Sequence, residues 1–165
     1  MRVLGIDTSL RSTGIGVVES AGSKLALVEC GTIHNPATRS VSQCLANIDH
    51  ALKELIERSQ PQAAAIEGIF YCKNVRTAVT LGQARGVAIA ACAAMGVPVY
   101  EYEPRRMKKA LVGYGGAQKE QVGRMVMRLL ALQEMPQEDA SDALGLAICH
   151  IHGRSSITAL EAKPI

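Results

Sequence analysis

The chain opens with a short apolar run that stops at Asp7, a pattern typical of a strand buried on both faces of a sheet. Residues 2–19 predict a strand, a turn and a second strand, and residues 24–33 predict a third strand. Because the links between them are short, we expect an antiparallel meander. Gly14 and Gly16 are expected to let the returning strand approach closely. Taken alone, Asp7 is equally consistent with an ordinary turn aspartate.

A helix and a fourth strand follow the meander. Apolar residues at steps of four and three across residues 39–59 predict an amphipathic helix, which Pro61 ends. Residues 63–66 form a second apolar run, and this run stops at Glu67. A strand reached through a helical crossover is parallel to the first strand. We therefore expect Asp7 and Glu67 to emerge at one edge of the sheet, where α/β proteins place their chemistry.

Small residues dominate the next predicted helix, at residues 74–95. Gly82 and Gly86 are four apart on this helix, as are several alanines from Ala84 onward, so such a face can approach another backbone closely. We expect that face to pack against the sheet, and a dimer interface is the alternative. Residues 97–100 predict a short strand, and Pro98 indicates an edge position for it.

Two further helices are predicted at residues 118–132 and 138–152. Asp139 and Asp142 are three apart in the second of these helices and so share a face. The helix dipole favours acids in a first turn, which is the simple explanation for them. That explanation does not account for acids on the side of the helix that faces the core.

Length and cysteine content limit the class of protein. The 165 residues suit one domain with a full hydrophobic core, which we expect at residues 1–153, with a flexible tail at 154–165. We expect no signal peptide, because Asp7 interrupts the first apolar segment, and no apolar run approaches the roughly 18 residues of a membrane helix. The five cysteines are odd in number and far apart, which favours buried thiols in a reducing cytoplasm over disulfides or zinc ligands.

Positive charge is concentrated in residues 104–128. This segment has seven basic residues and one acid, so its net charge is +6, whereas the whole chain carries +3 and the remainder therefore −3. Such a segment suggests a polyanionic partner, with a solvated helix surface as the alternative. Phe70 and Tyr71, close to Glu67, either anchor a loop or form a platform for an unpaired base.

The four acids have a clear chemical use if they meet. Two like charges about 4 Å apart repel by roughly 1 kcal/mol in water and about 4 kcal/mol at an effective dielectric of 20. Four together require cations, and hard oxygen ligands without a His–Cys set suit Mg²⁺ or Mn²⁺. Two such ions can activate water and stabilise the leaving oxygen of a phosphodiester. The sequence thus predicts metal-dependent phosphodiester hydrolysis by Asp7, Glu67, Asp139 and Asp142.

These motifs resemble the RuvC family of bacterial Holliday junction resolvases, within the ribonuclease H-like superfamily. The resemblance covers nearly the whole chain, from the strand that ends at Asp7 to the helix with Asp139 and Asp142. The string at residues 82–87, followed in order by the segment around Lys119, is specific. The resemblance implies an α/β fold with a mixed five-stranded sheet, an antiparallel meander plus parallel strands, flanked by helices.

The resemblance also implies an activity and partners. Residues 1–153 would be a single nuclease domain that binds four-way DNA junctions as a homodimer, in recombination and repair. It would nick two strands of like polarity symmetrically, using Mg²⁺, for which Mn²⁺ can substitute, with two ions per active site. RuvA and RuvB, the branch-migration proteins, are the implied partners, and the implied location is the cytoplasm.

Roles for single residues follow from the same resemblance. Asp7, Glu67, Asp139 and Asp142 would be the catalytic acids and metal ligands. Phe70 would stack on an opened base. The basic residues expected to contact DNA are Arg105, Arg106, Lys108, Lys109 and Lys119, and Lys119 would also support the transition state.

Two features depart from the family pattern. Thr8 and Ser9 stand where the family usually has Pro-Gly. This difference leaves the geometry of the turn undetermined but does not change the role expected of the Asp7 carboxylate. Glu138 is an additional acid without an assigned role.

Three other functions are compatible with parts of the sequence. The first stretch also resembles the phosphate-binding turn of actin-like sugar kinases, of which this chain would be one lobe. A ribonuclease H-like nuclease acting on RNA is the second alternative. The third is a non-catalytic junction-binding protein, against which the intact acidic set argues.

Overall fold

A computed structural model describes residues 1–68, 74–155 and 164–165. A five-stranded sheet, with strands in the order β3-β2-β1-β4-β5, forms its centre. The strands are β1 (Arg2–Asp7), β2 (Ser12–Ala21), β3 (Lys24–His34), β4 (Ala63–Glu67) and β5 (Val99–Tyr102). The helices are α1 (Val41–Ser59), α2 (Val75–Ala94), α3 (Pro104–Val112), α4 (Lys119–Leu129) and α5 (Glu138–Ser155).

Strand pairing confirms the predicted mixed sheet. β2 pairs antiparallel with both β1 and β3, which is the expected meander. β4 pairs parallel with β1 and with β5. Because Ile6 lies opposite Ile66 in the parallel register, Asp7 and Glu67 leave the sheet side by side at the same edge. β5 is an edge strand, as Pro98 indicated.

Helices cover both faces of the sheet. α1 and α2 enclose one core with residues such as Ile48, Leu52 and Ala88, and α3, α4 and α5 enclose the other with residues such as Met107 and Val126. Ser40 is the N-cap residue of α1 and forms a capping box with Gln43. Of the predicted apolar stripe of α1, Ile48, Leu52 and Leu55 are buried and Leu45 is half-buried, whereas Val41 in the first turn is exposed.

Glycines in β1 and β2 bring α5 close to the sheet. A Cβ atom on Gly5 would collide with the main chain at Ala143, and one on Gly14 would collide with the main chain at Asp139. On Gly16 it would lie 2.7 Å from the side chain of Leu144. The close approach predicted from Gly14 and Gly16 is therefore real, but the partner is helix α5 rather than a strand.

The small-residue helix α2 differs from the prediction in its orientation. Ala84, Ala88 and Ala91 face the core, whereas a Cβ atom on Gly82 or Gly86 would meet nothing within 4 Å. The expectation that small residues of α2 pack toward the sheet is confirmed for the alanines and wrong for the two glycines, which lie on the other side of the helix. α2 is also the one helix in the described ranges with the length and composition to cross a bilayer, which alone is weak evidence for a membrane span.

Several boundaries and one helix differ from the sequence prediction. β5 begins two residues later than predicted, and α5 continues to Ser155. α3 is an additional helix within the basic segment, beginning at Pro104, a residue favoured in a first turn. Three of the four described cysteines, Cys44, Cys92 and Cys149, are buried free thiols, as expected. The domain boundary at residue 153 stays a prediction.

Candidate active site

Two strand ends and one helix start bring the four predicted acids to the same edge of the sheet. Asp7 ends β1, Glu67 ends β4, and Asp139 and Asp142 lie in the first turns of α5. All four side chains are half-buried. Asp7 is paired in register with Gly14, and the main chain of Asp139 rests on Gly14. Because Gly14 has no Cβ atom, the acids of α5 can lie close to Asp7.

The protonation equilibria of the acids show that they share one electrostatic environment. Burial, followed by the charges of Glu67, Asp142 and Asp139, raises the pKa of Asp7 from 3.8 to about 7. Burial and then the charge of Asp142 raise the pKa of Glu67. The pKa of Asp142 is raised by burial, although Lys119 opposes the change. Mutual repulsion of this kind is relieved by a bound cation.

Lys119 is the cation at the rim of this cluster. Its Nζ atom lies 3.4 Å from Oδ2 of Asp142 and is paired with the carboxylate of Glu138. The hydrogen bond with Glu138 is the main reason that the pKa of Lys119 is raised. The additional acid that the sequence left without a role is thus the counter-ion of the predicted catalytic lysine.

The turn after Asp7, where Thr8 and Ser9 stand in place of Pro-Gly, is closed by the hydroxyl of Thr13. The hydroxyl of Thr13 donates to the carbonyl of Ser9 at 2.5 Å and accepts from the Ser9 N–H at 3.3 Å. Thr8 is buried beside it. Side-chain hydrogen bonds to the main chain are a common way to close such a turn. The turn behind Asp7 is therefore closed through Thr13 and the main chain of Ser9, and these hydrogen bonds do not use the side chains that replace Pro-Gly.

Ser12 contacts the acidic set and was not predicted to do so. Its hydroxyl donates a hydrogen bond to Oδ2 of Asp139. Ser12, Gly14 and Gly16 alternate along β2 and lie on one face of the strand, the face that α5 covers. Strand alternation was the available signal, because it places Ser12 on the same side as the two glycines.

The donor set fits a hard divalent cation by its chemistry. It consists of four carboxylates, and three of them have pKa values raised by burial and mutual charge. In their present rotamers, no three His, Cys, Asp or Glu side chains in the described ranges are close enough to hold an ion together. Asp139 is turned toward Ser12, and Asp142 toward Lys119. Carboxylate oxygens are hard donors, and such donors are suitable ligands for Mg²⁺ or Mn²⁺.

The residues predicted to contact DNA fall into different environments. Lys108 is close enough to the acids that its charge lowers the pKa of Glu67. Arg105 and Lys109 are exposed on α3. The guanidinium carbon of Arg106 lies 5.2 Å from the centre of the Tyr102 ring, a cation–π contact within the fold. Phe70 lies outside the described residues, so its stacking role stays a prediction.

Comparison with known proteins identifies the family of this chain. The family described as "Crossover junction endodeoxyribonuclease RuvC" matches residues 3–150. The chain belongs to the RuvC family. A RuvC from Cupriavidus metallidurans is 47% identical over 97% of this chain and 88% of its own length. One from Chloroflexus aggregans is 48% identical over 92% of this chain and 93% of its own length.

A solved RuvC structure has the same fold over its full length. Thermus thermophilus RuvC in complex with a Holliday junction substrate superposes with a TM-score of 0.92 and 33% sequence identity. The superposition covers 100% of this chain and 99% of that one. The ribonuclease H-like fold predicted from the sequence is therefore confirmed. Membership of the RuvC family also excludes the actin-like kinase lobe as the origin of the first motif.

Proposed function

We propose that this chain resolves four-way DNA junctions by paired, symmetric nicks in recombination and repair, through metal-dependent phosphodiester hydrolysis. The observation that carries the proposal is the convergence of four carboxylates from β1, β4 and α5, with Lys119 at their rim. The RuvC relatives, named as crossover junction endodeoxyribonucleases, support the choice of substrate. RuvC enzymes are metal-dependent, and the choice of Mg²⁺, with Mn²⁺ as a substitute and two ions per site, is our proposal.

Each part of the site has a role in this mechanism. Asp7, Glu67, Asp139 and Asp142 would hold the ions, which when bound supply an activated water and stabilise the leaving oxygen. Ser12 orients the carboxylate of Asp139. Lys119 exchanges Glu138 for a phosphate oxygen of the substrate, and so places an ammonium group where negative charge develops.

The surface of α3 and α4 is the proposed path of the DNA backbone. Lys108 and Lys119 lie nearest the acids, and Arg105 and Lys109 extend the positive surface along α3. Arg106 is included in this set from the family resemblance, and its guanidinium also contacts the buried Tyr102 ring. Since phosphate contacts by lysine and arginine release counterions, junction binding is expected to weaken steeply with salt.

We propose that the enzyme acts as a homodimer through α2. Val75 and Val79 on this helix are 79% and 55% exposed, and Gly82 and Gly86 leave open space beside them. An apolar stripe with small residues allows two copies of a helix to pack closely. A two-fold dimer would place two active sites on a junction that is itself nearly two-fold symmetric.

Two further proposals rest on the family resemblance. We expect RuvA and RuvB to deliver the branch-migrated junction to this dimer. We also place the enzyme in the cytoplasm, where bacterial DNA is processed and where free thiols such as Cys44 and Cys92 stay reduced.

The proposed activity can be tested with a synthetic four-way junction and a linear duplex of matched sequence. Paired nicks in the junction alone are expected with Mg²⁺, and no cutting in EDTA. Asp7→Asn should abolish cutting and keep junction binding, whereas Asp49→Asn, a carboxylate loss on the remote helix α1, should cut normally. Cleavage of the duplex, or of an RNA-containing hybrid in preference to the junction, would contradict the proposal and favour the RNA-processing alternative.

A further inference from the structure

Arg85 connects helix α2 to the main chain of a catalytic acid. Its Nε atom donates a hydrogen bond to the carbonyl oxygen of Glu67 at 3.2 Å. Its Nη2 atom is paired with the carboxylate of Glu101 on β5. The Arg85 side chain is only 15% exposed. One guanidinium therefore joins α2, β4 and β5 at the edge of the sheet where the acids meet.

The carbonyl of Glu67 lies where the sheet no longer holds β4 on both sides. The register between β1 and β4 ends at Ile66, one residue before Glu67. On the other side, pairing with β5 continues through Tyr102, whose carbonyl accepts from the Gly68 N–H at 2.9 Å. A charged donor gives a stronger hydrogen bond than a neutral one. Arg85 thus adds a fixed contact at the point where the pairing with β1 stops.

We propose that Arg85 is a positioning residue that holds the main chain of Glu67, and through it the Glu67 carboxylate, in the geometry required for metal binding. The inference deepens the proposed function, since Glu67 is one of the proposed ligands. The planar fork of arginine reaches the carbonyl and Glu101 at once, a geometry that a lysine ammonium cannot reproduce. Displacing a catalytic group by about 1 Å can lower a rate roughly 100-fold.

The test compares Arg85→Met and Arg85→Lys with Arg58→Met. Arg58 is a matched control because it also joins a helix to a strand, through two hydrogen bonds to Glu29, and none of its recorded contacts involves a catalytic acid. For Arg85→Met we expect cleavage at saturating junction about 10-fold to 100-fold slower. The Mg²⁺ concentration for half-maximal rate should rise, and junction affinity in Ca²⁺ should be unchanged. Arg85→Lys should recover part of the loss.

A second readout does not depend on cleavage. Mg²⁺ or Mn²⁺ should raise the melting temperature of the protein without DNA, and the rise should be smaller for Arg85→Met than for Arg58→Met. Equal responses of both variants to metal, in rate and in melting temperature, would overturn the proposal. If Arg85→Met does not fold, Glu101→Leu replaces it, because that change removes the acceptor that anchors Arg85 and keeps the Arg85 side chain.

Glu101→Leu is expected to weaken the metal response in the same direction by a smaller factor, and a response identical to wild type would overturn the proposal. The wild-type protein separates this inference from the proposed function. A wild type that binds metal but does not cut junctions would refute the proposed activity. The comparison of metal-induced melting shifts would still decide the role of Arg85.

Discussion

Replacing Gly14 with alanine would place a methyl group against the first turn of α5. The new Cβ atom would lie 3.0 Å from the Cβ of Asp139 and closer still to its main-chain carbonyl. The main chain cannot rotate away as a flexible side chain can, so α5 must move by about 1 Å. A displacement of a catalytic group by this distance can lower the reaction rate roughly 100-fold. Overpacking of this kind costs about 1–3 kcal/mol in the free energy of unfolding.

A matched control is available in the neighbouring strand. Gly31 lies in β3 beside Ile15, and a Cβ atom there would meet nothing within 4 Å. Gly31→Ala is expected to leave cleavage unchanged and to stabilise the protein by up to about 1 kcal/mol, because alanine loses less backbone entropy on folding. The two variants add the same methyl group to the same sheet and differ in what that group meets.

The assay combines urea unfolding with single-turnover cleavage of a four-way junction in Mg²⁺. We expect Gly14→Ala to be less stable than Gly31→Ala by about 1–4 kcal/mol, given the two effects above. Its cleavage should be about 100-fold slower at a junction concentration that saturates binding. If Gly14→Ala cuts at the wild-type rate while folded, the contact between this glycine and Asp139 does not set the geometry of the acids.

Three further predictions concern charge. In EDTA at pH 8, Asp7→Asn should be more stable than wild type, because the pKa of Asp7 is about 7 in the folded protein and 3.8 in the unfolded chain. This advantage should vanish toward pH 4, and a melting temperature below that of wild type at pH 8 would contradict the prediction. Glu138→Gln should bind junctions a few-fold more tightly, since Lys119 no longer has to leave an ion pair; weaker binding would refute that role. Junction affinity should fall by orders of magnitude between roughly 50 and 200 mM salt. Lys108→Gln should reduce that slope, and a flat response would exclude the basic segment as the DNA surface.

Most of the sheet was predictable because local signals agreed with the global fold. Two short links fixed the meander, and the helix between residues 39 and 59 required a parallel return at β4. α3 was missed because it has only nine residues, with two buried apolar positions, Met107 and Leu111. A periodicity signal needs a longer window than this helix provides.

The acids were predictable, but their partners were not. Asp7 and Glu67 stood out because each ends an apolar run, whereas Ser12 and Asp139 are separated by 127 positions in the chain. A contact between residues so far apart in sequence depends on how α5 packs against the sheet. The small residues of α2 were misread for a related reason. Small residues spaced four apart show that a helix face can approach another backbone. In α2 both the alanines and the glycines have this spacing, so the sequence did not show which of them faces the sheet.

The pairing of Lys119 with Glu138 also bears on the rate of turnover. In the proposed mechanism, the ammonium group of Lys119 returns to Glu138, a carboxylate of its own chain, when a nicked product leaves. Release of the product therefore exchanges one ion pair of Lys119 for another, which favours release. An enzyme that must free two duplexes after each reaction gains from this exchange, and Glu138→Gln would then show a rapid first round of cutting followed by slow later rounds.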